Sequence, residues 1–223
     1  MKPHHLASYI DHTLLKPETS SVQVEKICQE AQEHSFYAVC VNSRFVDLCK
    51  SSLRGSSVKI ASVIGFPLGA CTTSTKVYEA IDAVKRGADE IDMVISLGAV
   101  KEKNWSYVQS EISQIVQAIP NSILKVIIET SLLSEEEKIK ACQISLAAGA
   151  HFVKTSTGFN GGGATVDDIL LMKKVVGDLA QVKASGGIKD LAVAEKMIAA
   201  GATRLGTSSG VQLVTGQKIQ GGY

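Results

Sequence analysis

The sequence predicts an α/β fold and, within that class, a closed (β/α)8 TIM barrel. Three observations carry the expectation. Eight short apolar runs rich in Val and Ile punctuate the 223 residues. Longer amphipathic stretches separate them, which is the alternation of repeated βα units. The runs are apolar throughout rather than at every second residue, as strands of a parallel sheet covered on both faces are. An open doubly wound sheet is the alternative arrangement of the same alternation.

In chain order the runs are Ile10–Leu15, Phe36–Val41, Val58–Gly65, Glu90–Ile95, Ile123–Glu129, Phe152–Thr155, Gln181–Ala184 and Arg204–Gly206. The first is the weakest, being short and carrying Asp11 and His12. Between the runs, Ile112, Ile115, Val116 and Ile119 recur at helical spacing, as do Ile139, Cys142, Ile144 and Leu146 less cleanly. Ser134 with Glu137 has the spacing of a capping box, and Ser20 with Gln23 is a second candidate. Gly87, Gly149 and Gly201 each close a predicted helix, and each is followed by Ala and then a strand. That weak repeat is too irregular for a solenoid and fits one unit used many times. No composition shift divides the chain. The expectation is a single barrel domain over residues 1–223, with a loose tail from about 215 to 223.

Charge and cysteine usage narrow the function classes. Lys and Arg number 23 against 22 Asp and Glu, giving a net charge of +1 with no basic run. Nucleic-acid binding needs a basic excess, so no nucleic-acid partner is expected. The five cysteines form no CxxC, which argues against a zinc ribbon or redox pair, and free thiols suit a reducing cytosol. No apolar run approaches the ~18 residues that cross a bilayer. The N-terminal MKPHHLASYIDH has no signal-peptide core, so the expected location is the cytoplasm.

A barrel carries its chemistry at the C-terminal ends of its strands. Asp92 falls in EIDMVI, Lys154 in FVKTSTG and Lys183 in VKASGG, while Glu129 and Thr130 follow KVII. Lysine is almost never fully buried unless paired, so one in each of two successive strands is unusual. In register, two such amines ~5 Å apart would repel by about 3 kcal/mol at an effective dielectric of ~20. That repulsion draws one amine below its ordinary range and leaves some of it neutral and nucleophilic at pH 7. The competing arrangement is a salt-bridged pair of lysines with Asp92 as the neutralising partner. An acid, a nucleophile and a second cation are what an amine-based carbon–carbon lyase needs.

Glycines and hydroxyls cluster in STGFNGGGAT, ASGG and GTSSG. The last two follow the seventh and eighth strands, where many barrels bind phosphate. Gly186, Gly187, Ser208 and Ser209 are therefore phosphate-site candidates, with ordinary turns and N-caps as the alternative. Gly161-Gly162-Gly163 is not a P-loop, because no Lys-Ser/Thr follows. The five histidines show no metal-ligand spacing, no Gly-x-Ser-x-Gly elbow exists, and His12 and Cys40 read as structural.

Taken together, DHTLL, AVCVN, VIGFPLG, EIDMVI, KVIIET, FVKTSTGF, VKASGGI and GTSSG resemble the deoxyribose-phosphate aldolase family, in order from about Asp11 to about Val211. The resemblance implies a (β/α)8 barrel and a class I aldolase that needs no metal or other cofactor. The implied reaction is reversible cleavage of 2-deoxy-D-ribose 5-phosphate to D-glyceraldehyde 3-phosphate and acetaldehyde. It places the Schiff-base lysine at Lys154, the second lysine at Lys183 and the proton-relay acid at Asp92. Phosphate would be held by Thr157, Gly158, Gly186, Gly187, Ser208 and Ser209. Phe159 stands where some relatives carry a lysine, which leaves more of the phosphate affinity to backbone N–H groups. Tyr223, after two glycines, matches the terminal tyrosine that some relatives fold over the site. A homodimer or homotetramer is the implied assembly. Another phosphate-binding barrel, isomerase or transaldolase-like, and a non-catalytic sugar-phosphate binder remain as other classes. Neither explains two strand lysines plus Asp92 as economically.

Overall fold

The computed structural model describes residues 3–216, so Tyr223 and nearly all of the expected tail lie outside the described residues. Eight strands form the centre: β1 Ile10–Leu14, β2 Ala38–Asn42, β3 Lys59–Ile64, β4 Glu90–Val94, β5 Ile123–Ile127, β6 Phe152–Lys154, β7 Gln181–Ser185 and β8 Arg204–Thr207. Each pairs in parallel with the next, and β1 pairs with β8, so the sheet closes on itself in sequence order. Closure excludes the open sheet. Around it lie α1 Pro3–Ala7, α2 Ser21–Glu33, α3 Val46–Ser52, α4 Thr73–Arg86, α5 Leu97–Lys101, α6 Trp105–Ala118, α7 Glu135–Ala147, α8 Val166–Val176, α9 Leu191–Ala199 and α10 Gly210–Thr215.

Alternation along each strand decides what faces where. In β4, Ile91 and Met93 join the large apolar core beneath the helices. Glu90 and Asp92, on the other face, are fully or almost fully buried inside the barrel. The helices complete the outer layer from their apolar stripes. Ile112 and Ile115 of α6 have no exposure, and each contributes about 1.5–3 kcal/mol by leaving water. The box at the start of α7 closes in both directions: Ser134 N–H donates to Glu137 (2.8 Å), and Glu137 N–H donates to Ser134 Oγ (3.2 Å). At α2, Ser20 N–H donates to Gln23 (2.9 Å).

Most strand ends fall within one residue of the sequence expectation, and two differ by two residues, for local reasons. β2 begins at Ala38 rather than Phe36, because Phe36 N–H is used by Ala31 O (2.9 Å) to close the end of α2. β5 stops at Ile127 because Glu129 turns left-handed (φ 55°, ψ 67°) and starts a tight turn over Thr130–Leu132. Register puts Lys154 beside Lys183, Lys183 beside Arg204, and Asp92 beside Lys125.

Candidate active site

Seven charged side chains fill the barrel interior. Lys154 Nζ donates to Asp92 Oδ2 at 2.7 Å, and Lys183 Nζ donates to the same oxygen at 2.8 Å. The two amines are therefore no farther apart than the sum of those distances. Lys183 also binds Asp11 of β1. Lys125 of β5 reaches Asp92 Oδ1 at 2.7 Å and Glu90 at 2.5 Å. Arg204 of β8 joins Asp11 at 3.0 Å and Glu90 at 3.1 Å. Four cations thus meet three carboxylates, all at 5% exposure or less, and one positive charge is left over.

Electrostatics separate the two lysines named from the sequence. Burial, then the neighbouring Lys183 charge, push Lys154 below the ordinary lysine range against the pull of Asp92. Burial acts on Lys183 in the same direction, but Asp11 and Asp92 outweigh it and hold that amine above its ordinary value. Lys125 is also held above its usual value, burial being outweighed by Asp92 together with Asp11 and Glu90. Asp92 is opposed by burial yet kept far below the carboxylate range by Lys125, Lys154 and Lys183. Asp11 falls to about 2, burial again being outweighed, here by Lys183, Lys125 and Arg204. Repulsion between two lysines is therefore only part of the cause. Asp92 sits between them as the neutralising partner, and burial is the larger influence on Lys154.

The sheet makes room for this layer at one glycine. A Cβ on Gly206 would stand 3.0 Å from Ser185 Cβ and 3.1 Å from Lys183 Cε, closing the space the Lys183 stem occupies. At the barrel mouth, Glu129 fixes the loop after β6. It accepts from Thr157 N–H (3.2 Å), Thr157 Oγ1 (2.5 Å) and Asn160 Nδ2 (2.8 Å). Thr157 Oγ1 in turn accepts from Phe159 N–H (3.1 Å). The three-glycine run has a packing role. A Cβ on Gly163 would lie 2.5 Å from Gly186 O, so the loops after β6 and β7 touch backbone to backbone.

The phosphate candidates lie on one rim. Thr157 and Gly158 follow β6, Gly186 and Gly187 follow β7, and Ser208 and Ser209 follow β8. Gly158 and Gly186 are in contact, a Cβ on the first reaching 3.9 Å from Cα of the second. Gly158, Gly187 and Ser208 are exposed, whereas the Thr157 hydroxyl is already engaged by Glu129. Thr207 Oγ1 donates to Ile188 O (2.7 Å) and accepts from Ser209 N–H (2.9 Å), tying the eighth strand end to the seventh loop. Phe159 meets Phe66, which follows β3, edge to face at 5.2 Å. Phe66 packs on Leu15, Cys40, Ala61 and Val63. Cys40 is buried there, as the sequence suggests, and His12 bonds Glu30 (2.7 Å) of α2 in a structural role.

Sequence reasoning missed Asp11, Glu90, Lys125 and Arg204 as members of the interior layer. Their only signal was a charge within or at the start of an apolar run, with a second charge two residues away only for Glu90. It also passed over Ser156, whose buried hydroxyl, like that of the Thr130 noted after KVII, has no hydrogen-bond partner among the described residues. A cleft of about 540 Å3 lies at the opposite end, between α3 and the start of β3. Among the described residues no group of three or more His, Cys, Asp or Glu is placed to hold a metal ion. No helix there is long and apolar enough to cross a membrane.

Known proteins share this sequence and fold. A family model for DeoC/LacD family aldolases matches residues 5–216. A deoxyribose-phosphate aldolase from Bdellovibrio bacteriovorus is 58% identical over 218 residues, covering 98% of this chain and 99% of that protein. One from Natranaerobius thermophilus is 56% identical, with 97% and 99% covered. The structure of deoxyribose phosphate aldolase from Aeropyrum pernix, described as a unique tetramer, matches with a TM-score of 0.90 at 33% identity, covering 96% of this chain and 91% of that one. With the family model spanning nearly the whole barrel and relatives above half identity, the chain belongs to the DeoC/LacD aldolase family.

Proposed function

We propose that this protein is a deoxyribose-phosphate aldolase that reversibly cleaves 2-deoxy-D-ribose 5-phosphate to D-glyceraldehyde 3-phosphate and acetaldehyde. The names of its relatives support the substrate. The observation that carries the mechanism is one buried lysine, Lys154, held below its ordinary proton affinity beside a carboxylate and a second, firmly charged lysine.

Lys154 Nζ, as the free amine, attacks C1 of the open-chain aldehyde. The carbinolamine loses water and becomes an iminium ion. The C3 hydroxyl then gives up its proton, through a water, to the Asp92 carboxylate. The C2–C3 bond breaks, its electron pair moves into the iminium to give an enamine, and C3 leaves as the aldehyde of glyceraldehyde 3-phosphate. Protonation of the enamine at C2 and hydrolysis by water release acetaldehyde and restore the amine. The iminium nitrogen is the electron sink of this reading, so the chemistry is supplied by the chain itself. Lys183 contributes a fixed positive charge that keeps Lys154 partly neutral, and it shares Asp92 with it. Backbone N–H groups around Gly158, Gly186 and Gly187, with Ser208 and Ser209, hold the phosphate at the rim. Thr157 shapes that rim through Glu129.

Free cysteines support a reducing cytoplasm, and the tetrameric relative supports a homo-oligomer, dimer or tetramer. The test is borohydride trapping with acetaldehyde followed by peptide mass mapping. An adduct on Lys154 is expected. An adduct on Lys183 alone would reverse the two roles, and no adduct on folded protein would remove the mechanism.

A further inference from the structure

The geometry assigns Arg204 and Glu90 a positioning role: from the floor of the barrel, they fix the charge balance of the layer in which Lys154 works. Both are the first residues of their strands, at the end opposite the mouth, so neither touches substrate. The inference rests on the reading of Lys154 as the nucleophile.

Arg204 is 5% exposed. Its guanidinium lies over the Tyr37 ring (3.3 Å) and near Phe152 (5.4 Å), and it bonds Asp11 and Glu90. Two chains of contacts lead from it to the amine. One runs through Glu90, Lys125 and Asp92, the other through Asp11, Lys183 and Asp92. A guanidinium stays charged at every working pH, so its charge is a constant of the site. Asp92, Lys183 and Cys40 act on Lys154 directly, and behind them in the same layer lie Asp11 from β1, Glu90 from β4, Lys125 from β5 and Arg204 from β8. β3 adds Ala61, Val63 and, at its half-exposed start, Lys59, which pairs with Asp89 (3.7 Å), and the buried Glu129 at the mouth is committed to Thr157 and Asn160. Removing one fixed cation leaves three cations against three carboxylates, and Lys154 then keeps its proton to higher pH. Removing one carboxylate acts the other way.

The readout is the pH at which the borohydride-trapped acetaldehyde adduct on Lys154 reaches half its maximal rate. Arg204→Met should move that midpoint about one pH unit alkaline, for charges about 10 Å apart at an effective dielectric of ~20. Glu90→Gln should move it a similar distance towards acid. The double variant restores one excess positive charge and should return the midpoint to its original place, and Arg204→Lys should leave it there. Unchanged midpoints in folded single variants, or two shifts of the same sign, overturn the proposal. Glu90→Gln keeps the shape of its side chain and decides the matter alone if Arg204→Met does not fold. Absence of any adduct in the unaltered protein is a separate result, which overturns the assignment of Lys154 itself.

Discussion

Lys76 and Lys154 are both removed from water, Lys76 completely and Lys154 to 3% exposure. Lys76 of α4 donates to Glu111 of α6 (2.7 Å) and to Val94 O (2.9 Å), while the other Glu111 oxygen accepts from Ser96 N–H (3.0 Å). One cation meets one carboxylate, and the pair straps two helices to the end of β4. Lys154 instead shares Asp92 with two other lysines in a layer that has a cation to spare. Burial alone does not make a lysine reactive. What sets Lys154 apart is that the Lys183 charge and a carboxylate shared three ways act on it together with burial, and that cannot be judged from one side chain and its nearest partner.

Removing Lys154 breaks the comparison most completely. Lys154→Ala should lower acetaldehyde release by roughly three orders of magnitude or more, with the melting curve preserved. Turnover near that of the unaltered protein would end its role as nucleophile. Lys76→Met should do the reverse. It strands Glu111 and should cost about 3–5 kcal/mol of stability by urea unfolding, with the pH midpoint of adduct formation unmoved.

Acid titration sharpens the contrast. The Asp11 carboxyl falls from 3.8 unfolded to about 2 folded, so its contribution is present above the unfolded value and is lost as pH falls from about 4 towards 2. Asp11→Asn should remove about 2 kcal/mol of that pH-dependent stability, read from urea midpoints across this range. Glu111 is pushed up, by burial first, against the pull of Lys76. Its contribution therefore has the opposite sign, and Glu111→Gln should remove a rise in stability on acidification. Smallest of all, Ser134→Ala should cost about 1 kcal/mol by opening the box at α7, far from either lysine, without altering activity.

Much of this was legible in the sequence. All eight apolar runs became strands because a doubly covered strand has a pattern of its own, and the spacing of Ser134 and Glu137 is a local rule that needs no tertiary context. Lys154, Lys183 and Asp92 stood out as charges in apolar strands. Asp11 was read only as a blemish in the first strand, and Lys125 and Arg204 were passed over. Their meaning depends on partners far along the chain, Arg204 and Asp11 being 193 residues apart. The tie from Glu129 to Thr157 and Asn160 was hidden for another reason. It depends on a left-handed backbone at a non-glycine residue, which no residue pattern announces.

The charges of the interior layer are also sorted along the chain. Asp11, Glu90 and Asp92 belong to the first four strands, and Lys125, Lys154, Lys183 and Arg204 to the last four. Cut between β4 and β5, the barrel becomes two half-shells whose concave faces are opposite in sign. During synthesis the acidic half emerges first, and its carboxylates stay hydrated until the basic half arrives. The attraction between the two faces reaches beyond contact distance and weakens as salt rises.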